Sequence, residues 1–339
     1  MDAESTLEQA PSREQLLHSL YEAAELEHNL MCTYLYAAFS LKGDDSDGLA
    51  ADELAAVRRW RRAVLEVAIA EMGHLVAIWN ITAGLGGTPR FGRANFPLDP
   101  GLLPAGVVVK LAPFTRATLQ HFVHLERPTG SAEADGEGFA PERRYTRASR
   151  APRLTPMARD YDTVGEFYAT LDRGLSAFVA ARGEDEAFSG DPSLQLDRND
   201  VALDASRPVR CLKTARAALD AIVQEGEGAP LDSTSSHFQR FLEVRAELES
   251  FAQHRPGFAP AFPAATNPVL RPPPRPEGRV WIEDSRAAAV VDVGNAEAAH
   301  PVLSGHAVRQ ALRNQPVEHA VKRDLVERLA FVEGGLGQA

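Results

Sequence analysis

Two neighbouring apolar stretches of the chain carry acidic and imidazole side chains at positions where a helix would normally bury leucine. Glu27 lies in line with the apolar residues of a helix-like run over residues 14–42. Glu71 and His74 lie in line with those of a second run over residues 51–84 and, three residues apart, project from the same helix face. An ionised carboxylate on a buried face is costly unless it is paired, hydrogen-bonded or metal-bound. The two stretches therefore predict a carboxylate–imidazole metal site.

The types of donor narrow the metals that such a site would take. Carboxylate and imidazole ligands suit iron, manganese or zinc. The chain has two cysteines, far apart, which disfavours a structural zinc site or an iron–sulfur centre. Helical bundles that bind two iron or manganese ions use a Glu from each of two helices and a Glu-x-x-His from each of the other two. Glu27, Glu71 and His74 supply one half of that pattern.

Candidates for the other half are less regular, and the residues alone leave them open. Glu166 follows Thr163 by three residues, the spacing of a capping box, so a helix cap is the simpler interpretation. Glu225 and Glu227 both lie in the segment QEGEG, and either could be a ligand. His237 lies beyond a serine-rich loop, so a second carboxylate–imidazole pair would have to span a break in the helix.

Other histidines and tyrosines near these segments have simpler interpretations than metal binding. No carboxylate shares the helix face of His121 and His124, so we expect exposed or helix-capping side chains there. His28 points about 100° away from the carboxylate before it, which favours a structural role or a contact to a ligand. Tyr34 and Tyr36 are expected in the aromatic core, with a hydrogen bond to a ligand or an electron relay as the alternative.

Long helices must position these residues. Apolar residues recur at alternating steps of three and four, the pattern of packed amphipathic helices. We predict helices over residues 14–42 and 51–84, a short helix capped at Thr115 or Thr118, and helices from Thr163, over 209–226 and over 237–253. Residues 106–111, GVVVKL, are the best strand candidate. Several long helices with a long connection between the second and third predict an all-α bundle with a crossover.

The C-terminal part of the chain differs in composition. Residues 256–276 hold eight prolines and cannot be helical, so we expect an extended arm there. The last 60 or so residues contain further amphipathic runs that predict additional C-terminal helices. We therefore divide the chain into a metal-binding bundle at 1–255, a proline-rich arm at 256–280 and a helical extension at 281–339.

Composition excludes some classes of partner. The formal net charge of −11 argues against nucleic acid or an anionic membrane surface. No apolar run in the sequence approaches the roughly 20 residues that span a bilayer, and the acidic first residues do not resemble a signal peptide. Two cysteines in apolar runs predict free thiols in a reducing compartment. We expect a cytoplasmic protein with a small-molecule substrate.

Five motifs in order resemble a known family. ELEHNLMCTYLYAAFSL, AIAEMGHLVAIWNITAGLGGTPRF, TVGEFYATLDRGL, AIVQEGEG and SHFQRFLEV lie within residues 14–255. Together they are similar to the ferritin-like family of iminophenylpyruvate dimer synthases, which includes enzymes that oxidatively couple two amino-acid-derived imines. The resemblance implies a ferritin-like helical bundle and an oxidative activity.

The resemblance also implies a set of ligands. It favours Glu166 as a ligand rather than a cap, favours Glu227 over Glu225, and adds His237. Two departures from the family pattern stand out: Gly73 replaces the more usual leucine of EMLH, and Thr234 stands three residues before His237, where a Glu-x-x-His motif would have its carboxylate. The implied metal ligands are Glu27, Glu71, His74, Glu166, Glu227 and His237.

The leading functional hypothesis is a non-haem iron oxidase or oxygenase of specialised metabolism. It would hold one or two iron ions per chain, use dioxygen or peroxide as co-substrate and act on a small amino-acid-derived molecule, with a homodimer as one assembly that the sequence allows. A second hypothesis is a metal-handling or peroxide-scavenging protein without an organic substrate. A third is a catalytically silent interaction bundle whose buried carboxylates pair with Arg or Lys.

Overall fold

The computed structural model describes residues 10–91, 96, 108–140, 161–226, 236–271, 279–283 and 288–292. Helices account for most of this part of the chain, which confirms the predicted fold class. The helices are α1 (Arg13–Ser40), α2 (Ala51–Gly84), α3 (Arg116–Leu125), α4 (Val164–Arg182), α5 (Glu184–Ala187), α6 (Leu212–Glu225) and α7 (His237–His254). The strands are β1 (Val269–Arg271), β2 (Arg279–Glu283) and β3 (Ala288–Asp292).

The first two helices form the central pair of the bundle, and both match the predicted ranges. The hydroxyl of Ser12 caps α1 by accepting the Gln15 N–H. At the start of α2 the Glu53 carboxylate accepts the Ala50 N–H. The two helices pack closely and bury an apolar seam between them. This seam includes Leu20, Leu30, Val57, Val64 and Ile78.

The remaining long helices close the bundle around this pair. α4 packs against α1 and α6, and α7 packs against α2 and α3. α3 begins after Thr115, whose hydroxyl accepts the Thr118 N–H. α7 begins after Ser236, whose hydroxyl accepts the Gln239 N–H, so His237 is the first residue of this helix. A side-chain cap therefore fixes the point where each of these two helices starts.

An irregular segment between α5 and α6 packs on the C-terminal part of α2. The buried Asn80 amide donates to the Leu196 and Arg207 carbonyl oxygens and accepts the Leu196 N–H. The Gly190 N–H donates to the Gly84 carbonyl oxygen at 3.1 Å. The bonds of Asn80 satisfy the polar atoms of its buried side chain. They fix this end of α2 against the segment.

The strand predicted at residues 106–111 is not present in the described residues 108–111. Val108 and Val109 are buried, so their apolar side chains serve the core from an irregular backbone. Leu111 instead exchanges hydrogen bonds with Asn267, through its N–H to the side-chain oxygen at 2.9 Å and its carbonyl to the N–H at 2.7 Å. The β-branched run therefore indicates burial rather than a sheet.

After α7, the described part of the proline-rich segment, residues 256–271, forms hydrogen bonds with residues at and just beyond the C-terminal end of α1. Phe262 donates its N–H to the Ser40 carbonyl oxygen at 2.8 Å, and Lys42 donates to that of Pro260 at 2.9 Å. The Tyr36 phenol donates to the Ala265 carbonyl oxygen at 2.5 Å. The arm is thus attached to the bundle by backbone hydrogen bonds.

A small antiparallel sheet begins within the arm, in the order β1-β2-β3. Its strands include residues 281–283 and 288–292, so the start of the segment assigned to a helical extension is not helical. The alternating Val280 and Ile282, and the pair Val290 and Val291, are β-branched residues that favour strands. The C-terminal helices predicted after residue 293 lie outside the described residues.

α2 is long and apolar enough to cross a membrane by length and composition alone. However, 78% of its most apolar window is buried inside the bundle. A helix that is apolar on most sides and covered by neighbouring helices is typical of a protein core. The hydrophobicity of α2 is therefore explained by its central position.

We predict that Gly190→Ala destabilises the protein by at least about 2 kcal/mol, because overpacking against rigid backbone is costly. A Cβ at residue 190 would lie 1.8 Å from the Ala83 carbonyl oxygen and 2.7 Å from the Gly86 nitrogen. In the control Gly174→Ala, within α4, the Cβ would meet only the Leu16 and Pro11 side chains at 3.4 and 3.5 Å. That control should be neutral or up to about 1 kcal/mol stabilising. Chemical denaturation measures both, and equal stabilities would contradict the packing described.

Candidate metal centre

Three carboxylates and two imidazoles from four helices meet inside the bundle. α1 contributes Glu27, and α2 contributes Glu71 and His74. Glu126 caps the C-terminal end of α3, and His237 begins α7. All five side chains are buried, and none of the three carboxylates has any exposed surface. The cost of burying so many ionisable groups requires a partner that compensates their charge.

The five residues form two groups of three that share one carboxylate. In the first group, ligand atoms of Glu27, Glu71 and His74 all lie within 4.8 Å of one another. In the second group, those of Glu71, Glu126 and His237 do the same. Glu71 belongs to both groups, so its carboxylate lies between two sets of donors, each of which could hold a metal ion.

The distances show how the shared carboxylate divides between the two groups. The Glu71 Oε2 atom lies 2.9 Å from His74 Nδ1, and its Oε1 atom lies 3.1 Å from His237 Nδ1. The outer carboxylates lie slightly further away, with Glu27 Oε2 3.3 Å from His74 Nδ1 and Glu126 Oε2 3.5 Å from His237 Nδ1. The two imidazole rings stack with their centroids 5.6 Å apart. In both rings it is the Nδ1 atom that faces the carboxylates.

Several of these atoms have no hydrogen-bond partner although they are buried. They are Glu27 Oε2, Glu71 Oε1, Glu126 Oε2 and His237 Nδ1. A buried polar atom without a partner costs about 1–3 kcal/mol, and more when it is charged. The four atoms point into the cluster, and oxygen and imidazole nitrogen are ligands of transition metals. The residues present thus fit a bound metal ion better than a set of ordinary hydrogen bonds.

The pKa values of the cluster are shifted by burial and by the charges of neighbouring groups. Burial raises the pKa of Glu27 to about 8 and also raises that of Glu126. Burial alone would raise the pKa of Glu71, but the imidazoles of His74 and His237 hold it well below its ordinary value. Burial opposes protonation of His237, yet Glu126 and Glu71 raise its pKa to about 9. These shifts show that the buried carboxylates favour a nearby positive charge.

Two tyrosines hold the outer carboxylates from behind. The Tyr168 phenol on α4 donates a short hydrogen bond to Glu27 Oε1. The Tyr34 phenol donates to Glu126 Oε1 at 2.5 Å. Tyr34 thus makes the hydrogen bond that the sequence allowed as an alternative to a purely apolar role. Tyr36 instead donates to the Ala265 carbonyl oxygen of the arm. Each outer carboxylate thus has one oxygen on a phenol and one facing the cluster.

The end of α6 lies beside the two imidazoles. Glu225 Oε2 is 3.5 Å from His74 Nε2, while 60% of the Glu225 side chain is exposed to solvent. A Cβ at Gly226 would lie 3.5 Å from both His237 Nδ1 and His74 Cε1, so the main chain passes directly next to the rings. Glu225 therefore connects a buried imidazole to the surface. Glu227 lies outside the described residues.

The structure brings together four of the six residues predicted as ligands: Glu27, Glu71, His74 and His237. It does not bring Glu166 into the cluster, which corrects its assignment as a ligand. The Glu166 carboxylate is exposed and accepts the Asp162 N–H at 2.9 Å, while its own N–H donates to the Thr163 hydroxyl. The three-residue spacing from Thr163 therefore indicated a helix cap, because a carboxylate at the third helical position can accept a backbone N–H at the start of the helix.

Glu126 was missed by the sequence analysis. It follows Leu119 and Phe122, both fully buried, at steps of seven and four, so it continues the apolar face of α3. The rule that singled out Glu27 therefore applied to Glu126 as well. The short helix and the Arg–Pro that follows made this glutamate look like an ordinary solvent-exposed helix end.

The other histidines have structural contacts. His121 is buried rather than exposed, with Nδ1 2.6 Å from Asp135 Oδ1 and its ring stacked on Phe139. His124 is half-buried, and its Nδ1 lies 2.9 Å from the Glu133 carbonyl oxygen. These contacts attach the segment after α3 to the helix. They hold the region that follows Glu126.

The described residues do not favour the third hypothesis, in which basic side chains satisfy the buried carboxylates. Among the ion pairs of this part of the chain, the partners of Glu27, Glu71 and Glu126 are histidines, and none is a Lys or Arg. Arginines pair instead with partly exposed carboxylates, such as Asp172 and Glu247. The cluster therefore lacks the permanent positive charge that a purely structural role would need.

The family model described as Ferritin-like matches residues 20–246, a range that includes all five residues of the cluster. The structure of a ferritin-like protein from Caulobacter vibrioides is 21% identical, with a TM-score of 0.48, over 80% of this chain and 81% of that one.

Two curated relatives are enzymes of larger size. The 2-imino-3-(indol-3-yl)propanoate dimerase of Chromobacterium violaceum is 31% identical over 83% of this chain and 27% of its own length. The dichlorochromopyrrolate synthase of Lentzea aerocolonigenes is 25% identical over 76% of this chain and 27% of its own length. The chain thus spans about a quarter of the length of these relatives.

We predict that Glu126→Gln lowers the divalent-metal capacity from two ions per chain to one, because it removes the carboxylate used by the second group alone. Glu166→Gln is the matched control, since the exposed Glu166 side chain accepts the Asp162 N–H outside the cluster and a glutamine oxygen can accept the same hydrogen bond. Equilibrium dialysis with Co(II) measures the capacity of each variant. Loss of an ion in Glu166→Gln, or none in Glu126→Gln, would contradict the assignment.

Metal affinity should rise with pH in neutral solution. At pH 7 the metal-free protein holds protons on Glu27 and His237, whose pKa values are about 8 and about 9, and a metal ion must displace them. Each displaced proton gives about a tenfold gain in affinity per pH unit until the pH passes that pKa. Competition titrations with a chelator at pH 6, 7 and 8 measure this slope. A pH-independent affinity, after correction for the chelator, would show that these groups bind no metal.

Proposed function

Because the chain belongs to the ferritin-like family, we propose that it is a non-haem iron oxidase or oxygenase that acts on a small amino-acid-derived substrate. The observation that supports this most is the shared Glu71, which lies between two sets of buried oxygen and nitrogen donors. Glu27, Glu71 and His74 would hold one ion, and Glu71, Glu126 and His237 the other. Bound iron would supply one-electron chemistry towards dioxygen or peroxide.

The residues around the cluster exclude water from it, orient its carboxylates and provide a route for protons. The cluster is buried beneath the apolar seams of α1, α2 and α7, so few water molecules can compete for the ligand atoms. The Tyr34 and Tyr168 phenols orient the outer carboxylates. Glu225, with its exposed carboxylate 3.5 Å from His74 Nε2, is positioned to pass protons between that imidazole and solvent.

The substrate class is proposed from the relatives. The name of one describes a dimerase of an α-imino acid with an indole side chain, and the name of the other a chromopyrrolate synthase. We propose that this chain likewise takes an α-imino acid derived from an aromatic amino acid. Joining two such molecules by a carbon–carbon bond removes two hydrogen atoms, and dioxygen or peroxide would accept the two electrons and two protons.

The experiment supplies iron-loaded protein with an imino acid made in place from phenylalanine or tryptophan by an amino-acid oxidase, with catalase present or absent. We expect a coupled product whose formation needs iron, and a loss of at least about 100-fold in Glu71→Ala, because that change removes the ligand shared by both groups. Glu166→Gln should retain the activity. Mass spectrometry of the products and an oxygen electrode measure the two sides of the reaction.

The outcomes separate the proposal from its rival. Iron oxidation or peroxide consumption at the same rate with and without imino acid, and with no coupled product, would favour a metal-handling or peroxide-scavenging protein. Full coupling activity in Glu71→Ala would contradict a metal-dependent reaction. A homodimer and a cytoplasmic location also stay proposals, and light scattering of the purified chain tests the first.

A further inference from the structure

The two tyrosines behind the outer carboxylates are arranged alike, although they come from different helices. Tyr168 reaches from α4 to Glu27 on α1, and Tyr34 reaches from α1 to Glu126 at the end of α3. Both phenols are fully buried. In each case the oxygen that accepts the hydrogen bond is Oε1, so one atom of each carboxylate is already engaged by the protein.

The remaining atom of each outer carboxylate is the one that faces the imidazoles. Glu27 Oε2 and Glu126 Oε2 have no hydrogen-bond partner and lie 3.3 and 3.5 Å from the nearest imidazole nitrogen. Glu71 differs, because its Oε2 faces His74 and its Oε1 faces His237. The outer carboxylates thus offer one oxygen to the cluster, and the shared one offers two.

We propose that Tyr34 and Tyr168 are positioning residues that restrict each outer carboxylate to one oxygen for its metal ion and leave the bridging role to Glu71. A hydrogen bond to an ionised carboxylate is stronger than one between neutral groups. The oxygen that accepts it has less electron density to give to a metal. This inference rests on the proposed metal centre, but not on its redox activity or substrate.

The packing around the phenols prevents them from turning away. Tyr34 lies edge-on to Phe122, with centroids 4.7 Å apart, and against Phe241 at 5.3 Å. Tyr168 packs on Phe167 at 5.2 Å. Removing either hydroxyl would leave Oε1 of the carboxylate in apolar surroundings, where a metal ion is the best remaining partner. The carboxylate would then bind through both oxygens.

A purely structural role for the phenols makes a different prediction, and the chain contains a control for it. Tyr36 is also on α1 and donates a hydrogen bond of 2.5 Å, but to the Ala265 carbonyl oxygen rather than to a ligand. Tyr36→Phe therefore removes a comparable hydrogen bond without changing the cluster. Any effect of general destabilisation should be present in this variant too.

The test titrates Co(II) without dioxygen or substrate into the wild-type chain and into Tyr34→Phe, Tyr168→Phe and Tyr36→Phe. We expect one of the two stepwise dissociation constants to change by roughly 10- to 100-fold in Tyr168→Phe and the other in Tyr34→Phe. The visible Co(II) bands should weaken in both, because coordination number increases when a carboxylate binds through two oxygens. Tyr36→Phe should match the wild type, and circular dichroism checks that each variant is folded.

The outcomes distinguish this inference from the proposed function. Two bound Co(II) ions with constants and spectra in Tyr34→Phe and Tyr168→Phe equal to those of Tyr36→Phe would overturn the role of the phenols only. A wild-type chain that binds no Co(II) would overturn the metal centre and this inference with it. If either tyrosine variant does not fold, the other still tests the role at its own carboxylate.

Discussion

The structure depends on the burial of three carboxylates and two imidazoles at one point, with Glu71 common to both halves. Burial of ionised groups is among the costliest features that a protein core can contain. Here the cost is reduced by the proximity of carboxylates to imidazoles and by two phenol donors. Even so, Glu27 Oε2, Glu71 Oε1, Glu126 Oε2 and His237 Nδ1 have no hydrogen-bond partner. A bound cation would remove most of the remaining cost, so the fold and the metal would stabilise one another.

The helices are arranged to make this burial possible. α1 and α2 supply a rigid pair on which three of the side chains lie, and α3 and α7 bring in a helix end and a helix start. Residues at helix ends are fixed by caps rather than by the helical repeat. The second half of the centre therefore depends on local features, including the Ser236 cap before His237 and the contacts that follow Glu126.

The parts that sequence predicted well are those governed by long periodic patterns. The bounds of α1 and α2 follow from apolar residues at steps of three and four, and Glu27, Glu71 and His74 stood out as exceptions to that pattern. Glu126 carried the same signal in a helix of ten residues, too short for one exception to stand out. Glu166 is the opposite case. Its spacing from Thr163 correctly indicated a helix cap, whereas the resemblance to a family wrongly favoured a metal ligand.

Other features depend on tertiary contacts that no local pattern contains. Val108 and Val109 have the composition of a strand, yet they are buried in the core, and the backbone of Leu111 in the same run pairs with Asn267 rather than with a strand. The strands β2 and β3 pair with one another, so they depend on a contact between two segments that helical periodicity does not indicate. Tyr168 is 141 residues from Glu27 in sequence, so only the fold could show their contact.

Anomalous X-ray diffraction from crystals loaded with Fe(II) or Co(II) would show directly whether two metal ions share Glu71. We expect two anomalous peaks per chain, about 3.5–4 Å apart, one on each side of the Glu71 carboxylate. One peak alone, or two peaks that do not both contact Glu71, would contradict this expectation.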